Sequence, residues 1–211
     1  MISSIALFFN SGGSFMWVIL CVLAVAAAVV VERVIFYFFT CRESGSHLVA
    51  GIVKKLNDGD SDGAKTMAHA GRSPLHALLS VAVDRFTGGM AVAEIEEGVQ
   101  EAAIREMPRL MQRLNYLSLF ANIATLLGLI GTISGLQASF SSLASVEASK
   151  KAALLAAGIA EAMNCTAFGL ITAVPCMVLY TFLYNKQHQI SKDLDESLVR
   201  FLNYLKKKKS A

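Results

Sequence analysis

Two kinds of side chain in this sequence suit chemistry away from bulk water: one isolated carboxylate and several hydroxyls at helical spacing. Glu161 stands ten residues beyond Lys151, in a run with no other charge before Lys186. A carboxylate held in lipid costs several kcal/mol unless it faces protein or water, so it is a functional candidate by default. Such a group either takes up a proton or stays ionised against a cation from a neighbouring subunit. The plain alternative is that Glu161 sits at headgroup level and marks the end of a span. The hydroxyls lie in the stretch from Thr125 to Ser139. At about 100° per residue, Thr125, Gly128, Thr132, Gly135 and Ser139 fall within an arc of about 80°. Gly131 and Gly135 add a GxxxG spacing, a common device for close helix packing. This small, weakly polar face either packs helices or lines a narrow hydrated path, since small residues leave room for water. Beyond Glu161, Ala162, Thr166, Gly169 and Ala173 share an arc of about 60°, centred about 110° from the carboxylate. Pro175 removes a backbone donor, and the carbonyl it frees must face protein or water.

Other chemistry finds no support. No nucleophile–base–acid set, phosphate loop or HExxH pattern is present. His47, His69, His76 and His188 are irregularly spaced in polar segments, and Cys21, Cys41, Cys165 and Cys176 show no CxxC pairing. An enzyme is not expected, nor a disulfide framework, a metal site or another cofactor.

The elements that must hold these residues are apolar helices. The 211 residues are 55% hydrophobic and 17% charged, against about 45–50% and 25% in soluble domains. Residues 1–31 carry no charge, and between Leu114 and Asn185 only Glu147, Lys150, Lys151 and Glu161 do. A bilayer core of about 30 Å takes about 20 helical residues, which each of three uncharged runs supplies. The expectation is an all-α polytopic membrane protein with spans at 15–40, 115–143 and 156–184. Membrane-borne residues leave too little chain for a sizeable soluble core. The net charge of +3 is too mild to argue for nucleic acid.

Positive-inside logic sets the topology. Residues 1–14 lack Lys and Arg, while Arg33 and Arg42 follow the first span, so the N-terminus is expected outside the cytoplasm. The start of the chain lacks the basic region of a cleavable signal peptide and reads as a retained first span. No lipidation signal is visible. Residues 41–114 are then cytoplasmic, with turns at Asn57-Asp58-Gly59-Asp60, Gly71-Arg72-Ser73-Pro74 and Thr87-Gly88-Gly89 separating short helices. From about Ala91 the helical pattern runs into the second span, with Pro108 as a kink and Arg105, Arg109 and Arg113 as a basic stripe at the cytoplasmic edge. An outer loop at 144–155 follows. Residues 185–211 form a basic cytoplasmic tail whose Lys206–Lys209 run is read as solvated or lipid-facing.

Three stretches resemble a known family. They are Pro108-Arg-Leu with Gln112-Arg-Leu-Asn-Tyr-Leu117, Leu126-Leu-Gly-Leu-Ile-Gly-Thr-Ile-Ser-Gly135, and Gly158-Ile-Ala-Glu-Ala-Met-Asn-Cys-Thr-Ala-Phe-Gly-Leu-Ile-Thr-Ala-Val-Pro175. Together they resemble the MotA/TolQ/ExbB proton-channel family, nearest its ExbB/TolQ branch. Glu32-Arg33 is also similar, whereas residues 43–90 and the tail are uninformative. The resemblance implies a homopentamer with long second and third helices extending into the cytoplasm. It also implies a single-span ExbD/TolR/MotB-like partner, a dimer whose transmembrane aspartate carries the proton. By that analogy Thr132 and Thr166 line the pore and Glu161 matches the family glutamate near the outer end of the third span. Thr125 departs from the proline of many relatives, which puts the shape of the second helix in question.

What the resemblance implies is an ion-channel (stator) subunit of the bacterial inner membrane. It would use the proton motive force for import, Tol-like envelope maintenance or gliding motility. A structural scaffold that anchors a partner without ion flux is the rival. A small secondary transporter finds little support in three spans without an inverted repeat.

Overall fold

The computed structural model describes residues 12–41, 44–143 and 146–210, and all its regular structure is helical. Residues 1–11 of the N-terminal segment, Arg42, and positions 144 and 145 of the outer loop lie outside the described residues. The helices are α1 (Phe15–Ile35, continued by a π-helical turn at Phe36–Thr40), α2 (Gly45–Asn57), α3 (Ser61–His69), α4 (Pro74–Thr87), α5 (Val92–Met111), α6 (Leu114–Ser142) and α7 (Ala148–Ser210). Three helical stretches, one in each expected region, are long and apolar enough to cross a membrane.

Local chemistry explains the boundaries between the short helices. Gly59 and Gly89 take left-handed backbone, at φ 79° and 80°, and close the turns after α2 and α4. The Asp60 carboxylate caps α3 by accepting from the Gly63 amide at 2.8 Å and pairs with Lys55 at 2.7 Å. These partners, Lys55 foremost, hold the Asp60 carboxyl below the usual carboxylate range and push Lys55 up. Ser73 caps α4, with Pro74 in its first turn. At the start of α5 the Glu94 carboxylate accepts from the Ala91 amide at 2.8 Å. The three turn clusters expected from the sequence are therefore the turns observed.

The chain forms two compact units. The first comprises residues 12–31 and Arg113–Phe182, and the second comprises Glu32–Gln112 and residues 183–210. In the second unit Leu48, Ile52, Leu56, Leu78, Leu79, Ile95, Val99, Leu194, Phe201 and Leu205 bury against one another in one hydrophobic core. This corrects the expectation that little soluble core would form. The apolar residues of α2 to α5 recur every three or four positions, and the last turns of α7 supply the face that completes their burial. The tail lysines Lys206 to Lys209 are exposed, as expected, and three of them also find partners on other helices. Lys206 pairs with Glu96 at 2.6 Å and the Tyr204 hydroxyl donates to Asn57 at 2.6 Å. Lys208 donates to the carbonyl of Leu56 in the last turn of α2, where cations are favoured, and Lys209 to the carbonyl of Met90 in the turn between α4 and α5.

Two boundaries differ from expectation. The helical pattern does not run unbroken into the second span: α5 ends at Met111, and Arg113 takes left-handed backbone at φ 63° before α6 begins. Pro108 is accommodated inside α5 instead. The break orphans the last carbonyls of α5, and two α1 side chains from the same unit satisfy them. Arg33, buried, donates to the Arg109 carbonyl at 3.1 Å, and the buried Tyr37 hydroxyl donates to the Leu110 carbonyl at 2.6 Å. Arg33 also binds Glu32 at 2.8 Å and lies over the Phe36 ring. Residues 148–155, expected as loop, open the 63-residue α7, whose alanines and leucines are strong helix formers.

Candidate functional site

Glycines in α6 and small residues in α7 bring these helices into backbone contact within the first unit. A methyl group on Gly169 would stand 2.8 Å from the Ala124 carbonyl oxygen and 3.1 Å from the Gly128 Cα. One on Gly128 would stand 3.2 Å from the Thr166 Cα, and one on Gly135 would stand 3.1 Å from the Ala162 Cβ. A methyl on Gly131 would collide with the Cys165 sulfur, and one on Gly158 with the Ser139 hydroxyl. The buried stripe of α6, through Leu117, Ala121, Ala124, Gly128, Gly131 and Ser139, is therefore a packing surface. On α7 the matching buried stripe runs through Ala162, Cys165, Gly169 and Ala173. Pro175 lies outside it, exposed.

The hydroxyls divide according to this contact. Thr166 donates across it to the Gly128 carbonyl at 2.8 Å. Such a bond between helices counts in an apolar medium, where no water competes for the carbonyl. Thr132 lies half-buried at the edge of the contact, its hydroxyl bonded to the Leu129 carbonyl of its own helix at 2.6 Å. Exposed Thr125 bonds back to the Ala121 carbonyl at 3.1 Å, and Ser139 to the Gly135 carbonyl at 2.8 Å. Hydroxyls bonded to their own helix keep lone pairs that can still accept from water or a carboxyl group.

Glu161 is exposed, next to the buried Ala162 of the glycine contact. It lines an open cavity of about 430 Å³ together with Ser134, Ser139 and Ser142 of α6, Gly158 of α7 and the Gly12–Phe15 start of α1. Among the described residues no cation pairs with its carboxylate. The cavity thus holds one carboxyl group among hydroxyls and backbone, which suits water and a proton or a small hydrated cation. It brings Glu161 together with Gly131, Gly135 and Ser139 of the sequence-selected residues, and leaves Thr125, Thr132 and Thr166 out of its lining.

Several contributors escape the sequence reading. Ser134 and Ser142 were legible: with Gly131, Gly135 and Ala138 they occupy an α6 arc of about 100°, rotated from the threonine face. Gly13 carried no signal, because its role depends on a contact with a distant helix. Thr172 is fully buried, and its hydroxyl has no hydrogen-bond partner among the described residues. The only hint of it was a threonine placed three residues before Pro175.

Comparison with known proteins matches residues 70–196 to the model of the MotA/TolQ/ExbB proton channel family. The chain is 33% identical over 103 residues to a Tol-Pal system protein TolQ of Haemophilus influenzae, covering 48% of this chain and 44% of that protein. It is 35% identical over 96 residues to a biopolymer transport protein ExbB of Salmonella typhimurium, covering 42% and 39% respectively. A putative biopolymer transport protein ExbB homolog of Methanothermobacter thermautotrophicus is 25% identical over 175 residues, covering 83% and 61%. The chain thus aligns with less than half the length of the first two relatives.

Proposed function

The chain belongs to the MotA/TolQ/ExbB proton channel family, and on that premise we propose that it is the multi-span subunit of an ion channel in a bacterial inner membrane. In this reading five copies surround a dimer of a single-span ExbD/TolR/MotB-like partner, whose transmembrane aspartate carries the ion. The N-terminus lies outside the cytoplasm and the C-terminus within. The observation that carries the proposal is the placement of Glu161: the sole charge of its apolar run opens onto a cavity lined by serines.

Protons reach Glu161 from the outer side, pass to the partner's aspartate, and leave to the cytoplasm as the partner shifts between equivalent subunits. Thr132 and Thr166 do not titrate. Their hydroxyls, which donate to backbone carbonyls, keep lone pairs that orient water and accept from the protonated carboxyl. Each proton crossing about 100 mV releases roughly 2.3 kcal/mol, and repeated steps drive the partner's external domain mechanically. The work done is import energisation, Tol-like envelope maintenance or gliding motility. Hydroxyls beside a single carboxylate favour protons over sodium, which takes a fuller set of oxygen ligands.

Thr132→Val is the cleaner test of the hydroxyl role, because Thr166 also ties α6 to α7 whereas Thr132 bonds only its own helix. The variant assembles normally with the partner and loses most proton flux in liposomes. Full flux through an assembled Thr132→Val channel would refute the assignment. A second reading, a scaffold that anchors a partner without flux, draws on the same Thr166–Gly128 bond and glycine contacts, since these serve packing alone equally well. It predicts no flux from the wild-type assembly.

A further inference from the structure

The sequence reading gave the residues before the first span no task. Gly13 takes left-handed backbone at φ 73°, and its carbonyl accepts from the Met16 amide at 3.3 Å as α1 begins. The carboxylate of Glu161 lies directly against it. A methyl group at this position would collide with Glu161 Oε1 and stand 3.5 Å from Cδ. The left-handed backbone, which L-residues adopt at a cost, disfavours a side chain here, and a methyl would also push the Glu161 carboxylate from where it stands. Gly12 differs in its backbone and in the side chain it would displace. It has no left-handed φ, and a methyl on it would meet only the end of the flexible Met16 side chain.

We propose that Gly13 is a positioning residue for Glu161: the side-chain-free turn at the start of α1 walls one side of the serine-lined cavity and fixes where the carboxylate stands. The turn restricts the rotamers of Glu161 and keeps its carboxylate in the cavity that Ser134, Ser139 and Ser142 also line. A carboxylate near a helix N-terminus is also favoured by the helix dipole. The positioning role rests on the reading of Glu161 as the group that first takes up the ion, but the contact itself does not.

The cavity lining and the two helices beside it supply no second charge near Glu161. Among its lining residues only Glu161 is titratable, α6 carries no charged residue, and on α7 the nearest charges are Lys151 and Lys186. An effect of Gly13→Ala on the carboxylate therefore cannot be relayed through another charged group in that lining.

The test compares Gly13→Ala with Gly12→Ala in the full chain co-reconstituted with its partner. Two readouts are taken: proton flux, and the infrared carboxyl band assigned to Glu161 by its loss in Glu161→Gln. Gly13→Ala shifts the band and lowers flux roughly tenfold, the scale of a displaced reacting group, whereas Gly12→Ala leaves both near wild type. Glu161→Asp, one methylene shorter, escapes the collision, so adding Gly13→Ala to it costs less flux than adding Gly13→Ala to the wild type. Should the alanine variant fail to fold, Gly13→Asn brings the same Cβ on a residue that tolerates left-handed backbone. An unshifted band in the folded Gly13 variant, or a flux loss equal to that of Gly12→Ala, overturns the proposal. A shifted band in an assembly that conducts no protons would instead leave the positioning intact and remove the proposed function.

Discussion

Replacing Gly169 by alanine probes the α6–α7 contact on which the proposed path depends. The new methyl would stand 2.8 Å from the Ala124 carbonyl oxygen and 3.1 Å from the Gly128 Cα, both of them backbone atoms. No side-chain rotation relieves that overlap, so the helices must separate by roughly half an ångström to reach ordinary contact distance. The Thr166–Gly128 hydrogen bond, 2.8 Å long, bridges the same gap and weakens with it. Overpacking of this kind costs about 1–3 kcal/mol, and a weakened hydrogen bond adds about 0.5–1.5 kcal/mol. Gly169→Ala should therefore destabilise the first unit by about 2–4 kcal/mol, measured by chemical unfolding in detergent micelles. Gly131→Ala, whose methyl meets the Cys165 side chain rather than backbone, should cost less. If Gly169→Ala changed stability by less than about 0.5 kcal/mol, the spread of ordinary surface substitutions, the close contact would be wrong.

Two predictions concern the second unit. Tyr37→Phe removes the donor to the Leu110 carbonyl and leaves a buried acceptor unpaired, so unfolding should become easier by about 1–3 kcal/mol; an unchanged unfolding midpoint would deny that the α5 terminus is held this way. Asp60 carries the pH dependence of the α2–α3 corner. Its folded pKa is depressed, so its pairing with Lys55 and the Gly63 amide stabilises above the unfolded carboxyl value of about 3.9 and is lost as pH falls through the folded value. Asp60→Asn should lose less helicity than wild type over that acid range, as followed by circular dichroism, and identical acid titrations would count against the pairing.

Some of this molecule was open to reading in the sequence because its signals are local. Charge-free runs locate the apolar helices, and Gly59, Pro74 and Gly89 mark turns wherever they stand. The alternation of glycine and hydroxyl in α6 left helix packing and a hydrated path both open, and Gly128 and Gly135 do make a close helix contact. Other features depend on distant partners. Nothing near Arg113 marks a helix end: it is not glycine, and what stabilises the break is Arg33 and Tyr37, more than 70 residues away in sequence, on the carbonyls of α5. The tail lysines are solvated as read, but their acceptors, Glu96 and the carbonyls of Leu56 and Met90, lie more than 100 residues away in sequence and left no local signal. At the candidate site Glu161 stood out by isolation, while Gly13 showed only once α1 and α7 were placed together.

The most direct measurement is proton flux into liposomes containing the chain with its single-span partner, under an imposed pH gradient and potential. The account predicts flux with both proteins present, little with either alone, and loss of flux when Glu161 is replaced by Gln. An assembled complex that passes no protons, or undiminished flux through the Glu161→Gln complex, would contradict it.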